Sequence, residues 1–371
     1  LRVTKTLFKK RFSRLCRTAA SNMMSHGTAA STINDTQYSD IVISGGGMVG
    51  AAMACALANN KFLRGKKIVL LEAGKNTGDY ILPEKYSNRT CALNPASIRL
   101  LSSFGAWQEI EAMRYHPVLR MQVWESCSDA IITFNNQDMV ENLAYIIEND
   151  VILGGIMKAL RAVEDRVEVR YQTKAVSFNI PRKQDPPEQK RPFVEMTLND
   201  GTVLRTKLLI GADGMNSEVR KVSKFHTIRR DYEQTAVVAT MVLGDMIINN
   251  TAWQRFLPNG PIALLPISDK LSSLIWTTTR ENAKHLQQIP NESFVDAVND
   301  ALWNERDKNE VAGQFLNGYK NILHNIWQGE SSSSRQLPPT VMDVQEDSRA
   351  GFPLHLIHSS QYVGPRVALI G

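Results

Sequence analysis

The stretch Ser44 to Gly50 reads SGGGMVG and holds the pattern G-x-G-x-x-G as Gly45, Gly47 and Gly50. In a phosphate cradle each glycine has its own use. The first allows a tight turn out of a strand, the second lets the backbone approach a pyrophosphate, and the third lets the next helix pack close to the strand. The start of that helix offers free N–H groups and the positive end of its dipole. An acid, Glu72, stands 22 residues after Gly50 at the end of the next apolar run, where a ribose hydroxyl needs an acceptor. A second stretch, LLIGADGMNSEVR at 208–220, carries Asp213 between Ala212 and Gly214, with Ser217 and Arg220 beyond. An aspartate at a strand end accepts from ribose or ribityl hydroxyls, and the glycines beside it allow close approach. Together these residues point to a bound dinucleotide, NAD or FAD.

The elements that must position them follow from local pattern. Residues 40–73 read as strand, glycine turn, helix and strand: DIVIS, then AAMACALANN ended by Asn59-Asn60, then KKIVLLEAG. This is a βαβ unit with parallel strands. NPASIRLLSSFGAW is an amphipathic helix with Asn94 as cap and Pro95 at its first position. RMQVWESCSDAIITF reads as a hairpin, 152–164 as a helix, and RVEVRYQTKAVSF as one alternating strand. The run ending in LLIGADG enters through a hairpin turned at Asp200-Gly201. From about 226 to 345 strand-like runs precede helices at 293–303 and 313–327, with a Ser-rich linker at 328–339. The fold class expected is α/β, a Rossmann-like nucleotide-binding domain interleaved with an antiparallel-sheet domain. The boundaries are nucleotide-binding parts at 36–115, 145–225 and 350–371, with 116–144 and 226–349 in the second domain.

With 371 residues, 43% of them hydrophobic, the chain can bury a core of that size. The net charge is +6, yet residues 1–34 hold seven Lys and Arg and no acid, which leaves −1 for the rest. A nucleic-acid partner is therefore excluded: the body has no charge excess to displace counterions from phosphates. The basic, Ser/Thr-rich N-terminus can place Leu7, Phe8, Phe12 and Leu15 on one helical face, the pattern of a mitochondrial transit peptide. The four cysteines, Cys16, Cys55, Cys91 and Cys127, lack metal-binding spacing, and Cys55 reads as a buried thiol. His355 and His358 lack a third partner, so no metal is expected. No apolar run reaches the ~20 residues needed to span a bilayer.

The glycine pattern followed by GADGMNSEVR resembles the flavoprotein aromatic hydroxylases of the p-hydroxybenzoate hydroxylase fold. SNRTCALNP, SFGAW, MQVWES, AYIIENDVI, WQRFLPNGPIALLPISDKLSSLIWTT and GFPL bring it closest to the flavin monooxygenases of mitochondrial ubiquinone biosynthesis, from about residue 38 to 371. The resemblance implies FAD as cofactor, held by Gly45, Gly47, Gly50, Glu72, Asp213 and Gly214, with Arg89 near it. It places Phe256 to Pro266 as a strand beside substrate and flavin. It also implies that the strand RVALIG leads into Gly-Asp-Ala-Ala-His, so that Gly371 is the first residue of a third FAD motif and the chain stops inside it.

The implied reaction is hydroxylation of the aromatic ring of a polyprenylated benzoate or phenol with O2. Electrons would come from a ferredoxin system or NAD(P)H. The setting would be a biosynthetic protein complex, peripheral on the matrix side of the mitochondrial inner membrane. No His or carboxylate announces itself as acid or base, so no catalytic residue is assigned. A lipid-chain reductase of the same fold, a non-catalytic complex partner and an NAD-dependent dehydrogenase are the alternatives.

Overall fold

The computed structural model describes residues 36–135, 142–181, 193–244, 248–304 and 336–371. The expected transit segment, the helix at 313–327 and most of the Ser-rich linker lie outside these residues.

Strand β1 (Thr36–Ser44) lies at the centre of the first sheet because both its faces are covered. Val42 and Ile43 point to opposite sides and are fully buried. β2 (Ile68–Leu71) pairs with it in parallel, Ile41 opposite Ile68 and Ser44 opposite Leu71. The connection between them contains helix α1 (Met48–Asn59), so the βαβ unit forms as expected. β8 (Val167–Arg170) extends the sheet beyond β2. On the other side β11 (Val203–Gly211) pairs in parallel with β1, and β19 (Val367–Leu369) pairs with β11. The two-residue β18 (Val363–Gly364) closes that edge. β9 (Ala175–Asn179) and β10 (Val194–Leu198) join β11 as an antiparallel meander. Gly201, at φ +86°, makes the β10–β11 turn where the sequence places it. The single strand expected over 166–178 is instead two, β8 and β9, because Gln172 turns the chain at φ +52°.

Small residues let α1 lie close to the sheet. Ala51, Ala54, Cys55 and Ala58 are completely buried against Ile43, Ile68 and Leu70. Burial pushes the Cys55 thiol up to about 12, so it is a neutral packing group. The expected helix at 94–107 is two helices. Asn94 accepts from the Ser97 N–H and starts α2 (Pro95–Ser102), and Gly105, at φ +81°, breaks the chain before α3 (Ala106–Glu111). Helix α4 (Asn149–Arg161) packs on both α1 and α3. A Cβ on Gly155 would lie 2.5 Å from Ile110 Cγ1, so that crossing requires glycine.

The second sheet has the order β16 (Val341–Val344), β12 (Thr227–Leu243), β15 (Leu271–Thr279), β14 (Gly260–Pro266), β13 (Thr251–Leu257), β5 (Arg120–Glu125), β6 (Ile131–Asn135). It is antiparallel except where β13 runs parallel to β5. Two segments differ from the sequence expectation. Phe256 to Pro266 is not one strand but the end of β13, the turn between Leu257 and Gly260, and the whole of β14. Residues 350–371 do not all return to the first sheet: β17 (Ala350–Ser359) pairs with β12, and only β18 and β19 rejoin it. The residue pattern of GFPLHLIH suits a strand in either sheet, and only the partner distinguishes them. His355 and His358, three apart on β17, take opposite faces.

One face of this sheet is covered by α6 (Arg280–Gln288) and α7 (Asn291–Trp303). Trp253, Ile262, Leu264, Leu274, Trp276 and Val237 meet Leu286, Phe294 and Val298 there. Arg255, on the same face, is 2% exposed and donates to Ala301 O (3.0 Å) and Asn304 O (2.8 Å) at the end of α7. A cation there suits the negative end of the helix dipole. On the opposite face a small third sheet, β3 (Thr90–Leu93), β7 (Ala144–Glu148) and β4 (His116–Val118), closes over Ala252 through Val118 and Ile146, joined by Tyr86 from the loop before β3.

A buried ion pair pins the loop between the two large sheets. Arg114 donates through Nε to Glu148 Oε2 (2.5 Å) and through Nη2 to Oε1 (2.8 Å). The same guanidinium donates to Pro83 O and Lys85 O and lies 3.9 Å over the Tyr86 ring. Glu148 is 3% exposed and also accepts from the Ser87 N–H (2.6 Å). Removing the charge from one side leaves a largely desolvated guanidinium without its counter-ion. Glu148→Gln is expected to lower folding stability by about 3–5 kcal/mol, read as the shift of the urea midpoint at constant slope.

Candidate functional site

The ends of β1 and β11 are brought level by their register, Ser44 opposite Gly211, and Ala212 N–H donates to Ser44 O. At two of the glycines just beyond those ends, backbone meets backbone. Gly45 has φ +106°, and a Cβ there would lie 2.4 Å from Ala212 O. A Cβ on Gly50 would lie 1.9 Å from Gly45 O. Both glycines are required by backbone meeting backbone. Gly47 differs: no heavy atom stands within 4 Å of its Cβ position. It caps α1 without a side-chain hydrogen bond, and no acid occupies the first turn. The helix start therefore faces open space with its N–H groups unclaimed by side chains, the electrostatics an anion needs.

Glu72 does more than its position in the sequence indicates. Its Oε2 accepts from Gly46 N–H (2.7 Å) and its Oε1 from Gly74 N–H (2.5 Å), so the carboxylate ties the glycine turn to the segment after β2. Gly46, which the G-x-G-x-x-G pattern leaves unspecified, is needed for this approach: its Cβ would lie 2.6 Å from Glu72 Oε2. Glu72 also borders a cavity of about 370 Å³ with Gly47, Tyr80, Asp150 and Tyr171. Gly154 of α4 leaves room for the Tyr80 ring, which a Cβ would meet at 2.7 Å. Burial, then the nearby Glu148 and Asp150 charges, hold the Tyr80 phenol above its ordinary value, so it is a neutral hydroxyl at physiological pH.

A second cavity of about 490 Å³ opens on the other side of Gly47. Asp213, Gly214, Arg220, Tyr362 and Gly371 line it. Asp213 Oδ2 accepts from Glu218 N–H (2.8 Å) and Val219 N–H (3.2 Å) and so starts α5 (Glu218–Val222). Its Oδ1 is buried and has no hydrogen-bond partner among the described residues. Gly371, at φ +98°, sits with its Cβ position 3.6 Å from Val49.

Seven of the eight residues singled out from the sequence thus gather around one turn: Gly45, Gly47, Gly50, Glu72, Asp213, Gly214 and Gly371. Arg89 does not line either cavity. Its guanidinium lies 5.5 Å over the Phe352 ring of β17, at the open face of the second sheet. The residues that sequence reasoning missed are Gly46, Tyr80, Asp150 and Tyr171. A triple glycine signals the first, but nothing local marks the others, which arrive from α4 and from loops.

The donors and acceptors present fit a flavin dinucleotide. Gly47 leaves the space a pyrophosphate requires, Glu72 borders a cavity of nucleoside size, and Asp213 keeps a buried oxygen free. The comparisons agree. Residues 38–318 match the FAD binding domain family. The ubiquinone biosynthesis monooxygenase COQ6, mitochondrial, of Xenopus tropicalis is 49% identical over 353 residues, covering 94% of this chain and 74% of that protein. The human protein of the same name is 50% identical over 340 residues, covering 91% and 71%. The fold is shared with PqsL, a probable FAD-dependent monooxygenase from Pseudomonas aeruginosa, at TM-score 0.63 and 19% identity over 90% of this chain and 78% of that one. Sequence, fold and cradle agree, and the chain belongs to the FAD-binding ubiquinone biosynthesis monooxygenase family.

Proposed function

We propose that this protein is the FAD-dependent monooxygenase that hydroxylates the aromatic ring of a polyprenylated benzoate or phenol during ubiquinone biosynthesis. The observation that carries the reading is Gly47, open toward space and bordering both cavities, with Glu72 lining one and Asp213, whose buried Oδ1 has no partner among the described residues, lining the other. In this arrangement the α1 start and Gly47 would hold the pyrophosphate of FAD, Glu72 would accept from the adenosine ribose, and Asp213 with Gly214 would receive the ribityl side. Gly371 stands at the same cavity, and Arg89 supplies positive charge at the edge of the open sheet face.

Bound FAD supplies the redox chemistry, taking two electrons from a reductant and activating O2 so that one oxygen atom reaches the ring and the other leaves as water. The chain's own contribution is to bind, orient and keep water out. The open face of the second sheet, bearing Phe256 and Phe352, is apolar enough to take an aromatic ring with a hydrocarbon chain. The reductant is a ferredoxin system or NAD(P)H, and the setting is a biosynthetic protein complex. Among the described residues no helix is long and apolar enough to cross a membrane. The basic, acid-free residues 1–34 support a place in the mitochondrion, and a lipid-tailed substrate accounts for a peripheral position on the matrix side of the inner membrane.

Three outcomes are expected. The FAD-loaded protein, given reductant and a short-chain prenylphenol, should yield a product heavier by one oxygen with the chain's double bonds intact; saturation of the chain without ring oxidation rejects the reading. Glu72→Arg should raise the Kd for FAD roughly 10- to 150-fold, the loss of one charge-assisted hydrogen bond worth about 1.5–3 kcal/mol. Equilibrium dialysis with a parallel melting curve checks this, and unchanged affinity removes Glu72 from the site. Residues 1–34 fused to a fluorescent reporter should carry it into mitochondria, and a cytosolic reporter rejects the transit assignment.

A further inference from the structure

The open face of the second sheet is built by the side chains that alternate with its core. Trp253 and Arg255 of β13 face α6 and α7, so Ala252, Gln254 and Phe256 take the other side. Exposure rises along those three. Ala252 is buried under the third sheet, Gln254 is half-buried, and Phe256 is open. The strand register then sets the neighbours of Gln254. Val123 lies beside it on β5 and Ala263 on β14, and Ile275 of β15 continues the row. All three are apolar and half-buried. The row nearer the covered end has its own polar contact, Ser273 Oγ with Thr90 Oγ1 at 3.0 Å. Gln254 has none: its side-chain amide makes no hydrogen bond among the described residues.

A half-buried amide in an apolar row is costly unless something pairs with it, because water reaches it poorly and the protein offers it nothing. An uncharged amide both donates and accepts. It therefore suits a hydroxyl or carbonyl oxygen on a ring, while Val123, Ala263 and Ile275 suit the ring face and the hydrocarbon attached to it. We propose that Gln254 is the specificity-determining contact of this enzyme, hydrogen-bonding the oxygen substituent of the aromatic substrate and so setting which ring carbon is presented for oxidation. The assignment rests on the hydroxylase reading above and adds to it the residue that orients the ring. Gln254 lies outside the FAD cradle, so its effect is separable from cofactor binding.

The test compares two ligands on the FAD-loaded protein: 4-prenylphenol, and prenylbenzene, which lacks the oxygen. Binding is read from the change in flavin absorbance, because the ring without oxygen is a poor substrate for turnover. Wild type should bind the phenol about fivefold more tightly, the size of one neutral hydrogen bond. Gln254→Leu and Gln254→Met should bind the two ligands equally, with bound FAD and melting temperature unchanged. Both variants should also release more peroxide per reductant consumed and hydroxylate at more than one ring position. Variants that keep the fivefold preference and the single product overturn the role of Gln254 while the hydroxylase reading stands. A wild type that oxidises no prenylphenol ring at all overturns both.

Discussion

The structure depends on one close approach: three backbone segments meet at the end of β1 with no room for a Cβ between them. Gly50 presses on Gly45 O, and Gly45 presses on Ala212 O. That contact brings the first glycine motif to the second, which stands more than 150 residues later, and the parallel register of β1 with β11 is what makes it possible. With the two strand ends level, Glu72 just past the next strand reaches the turn as a carboxylate staple, and Asp213 lines the cavity on the other side of Gly47. The cradle is thus a property of sheet order. Any change that displaced β11 from β1 would dissolve the site even with every motif residue intact.

A second constraint joins this cradle to the other sheet. The loop at 83–88 has no regular structure and is held by the Arg114–Glu148 pair from below and by the second sheet from above, where Gln345 donates to Tyr86 O (2.9 Å). Thr90 Oγ1 to Ser273 Oγ continues the seam. Arg89 stands between these anchors, so its place over Phe352 is inherited from them. A buried charge pair is a weak source of net stability, yet breaking it is expensive, and that asymmetry suits a part that must stay in register.

Much of this was legible in the sequence where the signal is local. The βαβ unit, the Asn94 cap, the Asp200-Gly201 turn and the glycine cradle all follow from residues within a few positions of one another. What could not be read was partnership. GFPLHLIH has the pattern of a strand in either sheet, and its pairing with β12 depends on residues more than a hundred positions away. Gln172 and Gly105 break a strand and a helix at single positive-φ residues inside otherwise continuous patterns. Tyr80, Asp150 and Tyr171 carry no motif, and their place at a cavity is set by how α4 packs.

The period of two in the second sheet makes one strand serve two purposes. Along β13 alternate residues close the core against α6 and α7, and the ones between face the open side. A slip of one residue would bury Gln254 and Phe256 and expose Trp253 and the Arg255 charge. Arg255 opposes that slip directly, because its two hydrogen bonds reach the last carbonyls of α7 only from its present position. The T-shaped contact of Trp124 with Trp253, 6.3 Å between centroids, holds the adjacent strand in the same register. The residues that fix the hidden face therefore also decide which side chains a substrate meets on the open one, although none of them touches it.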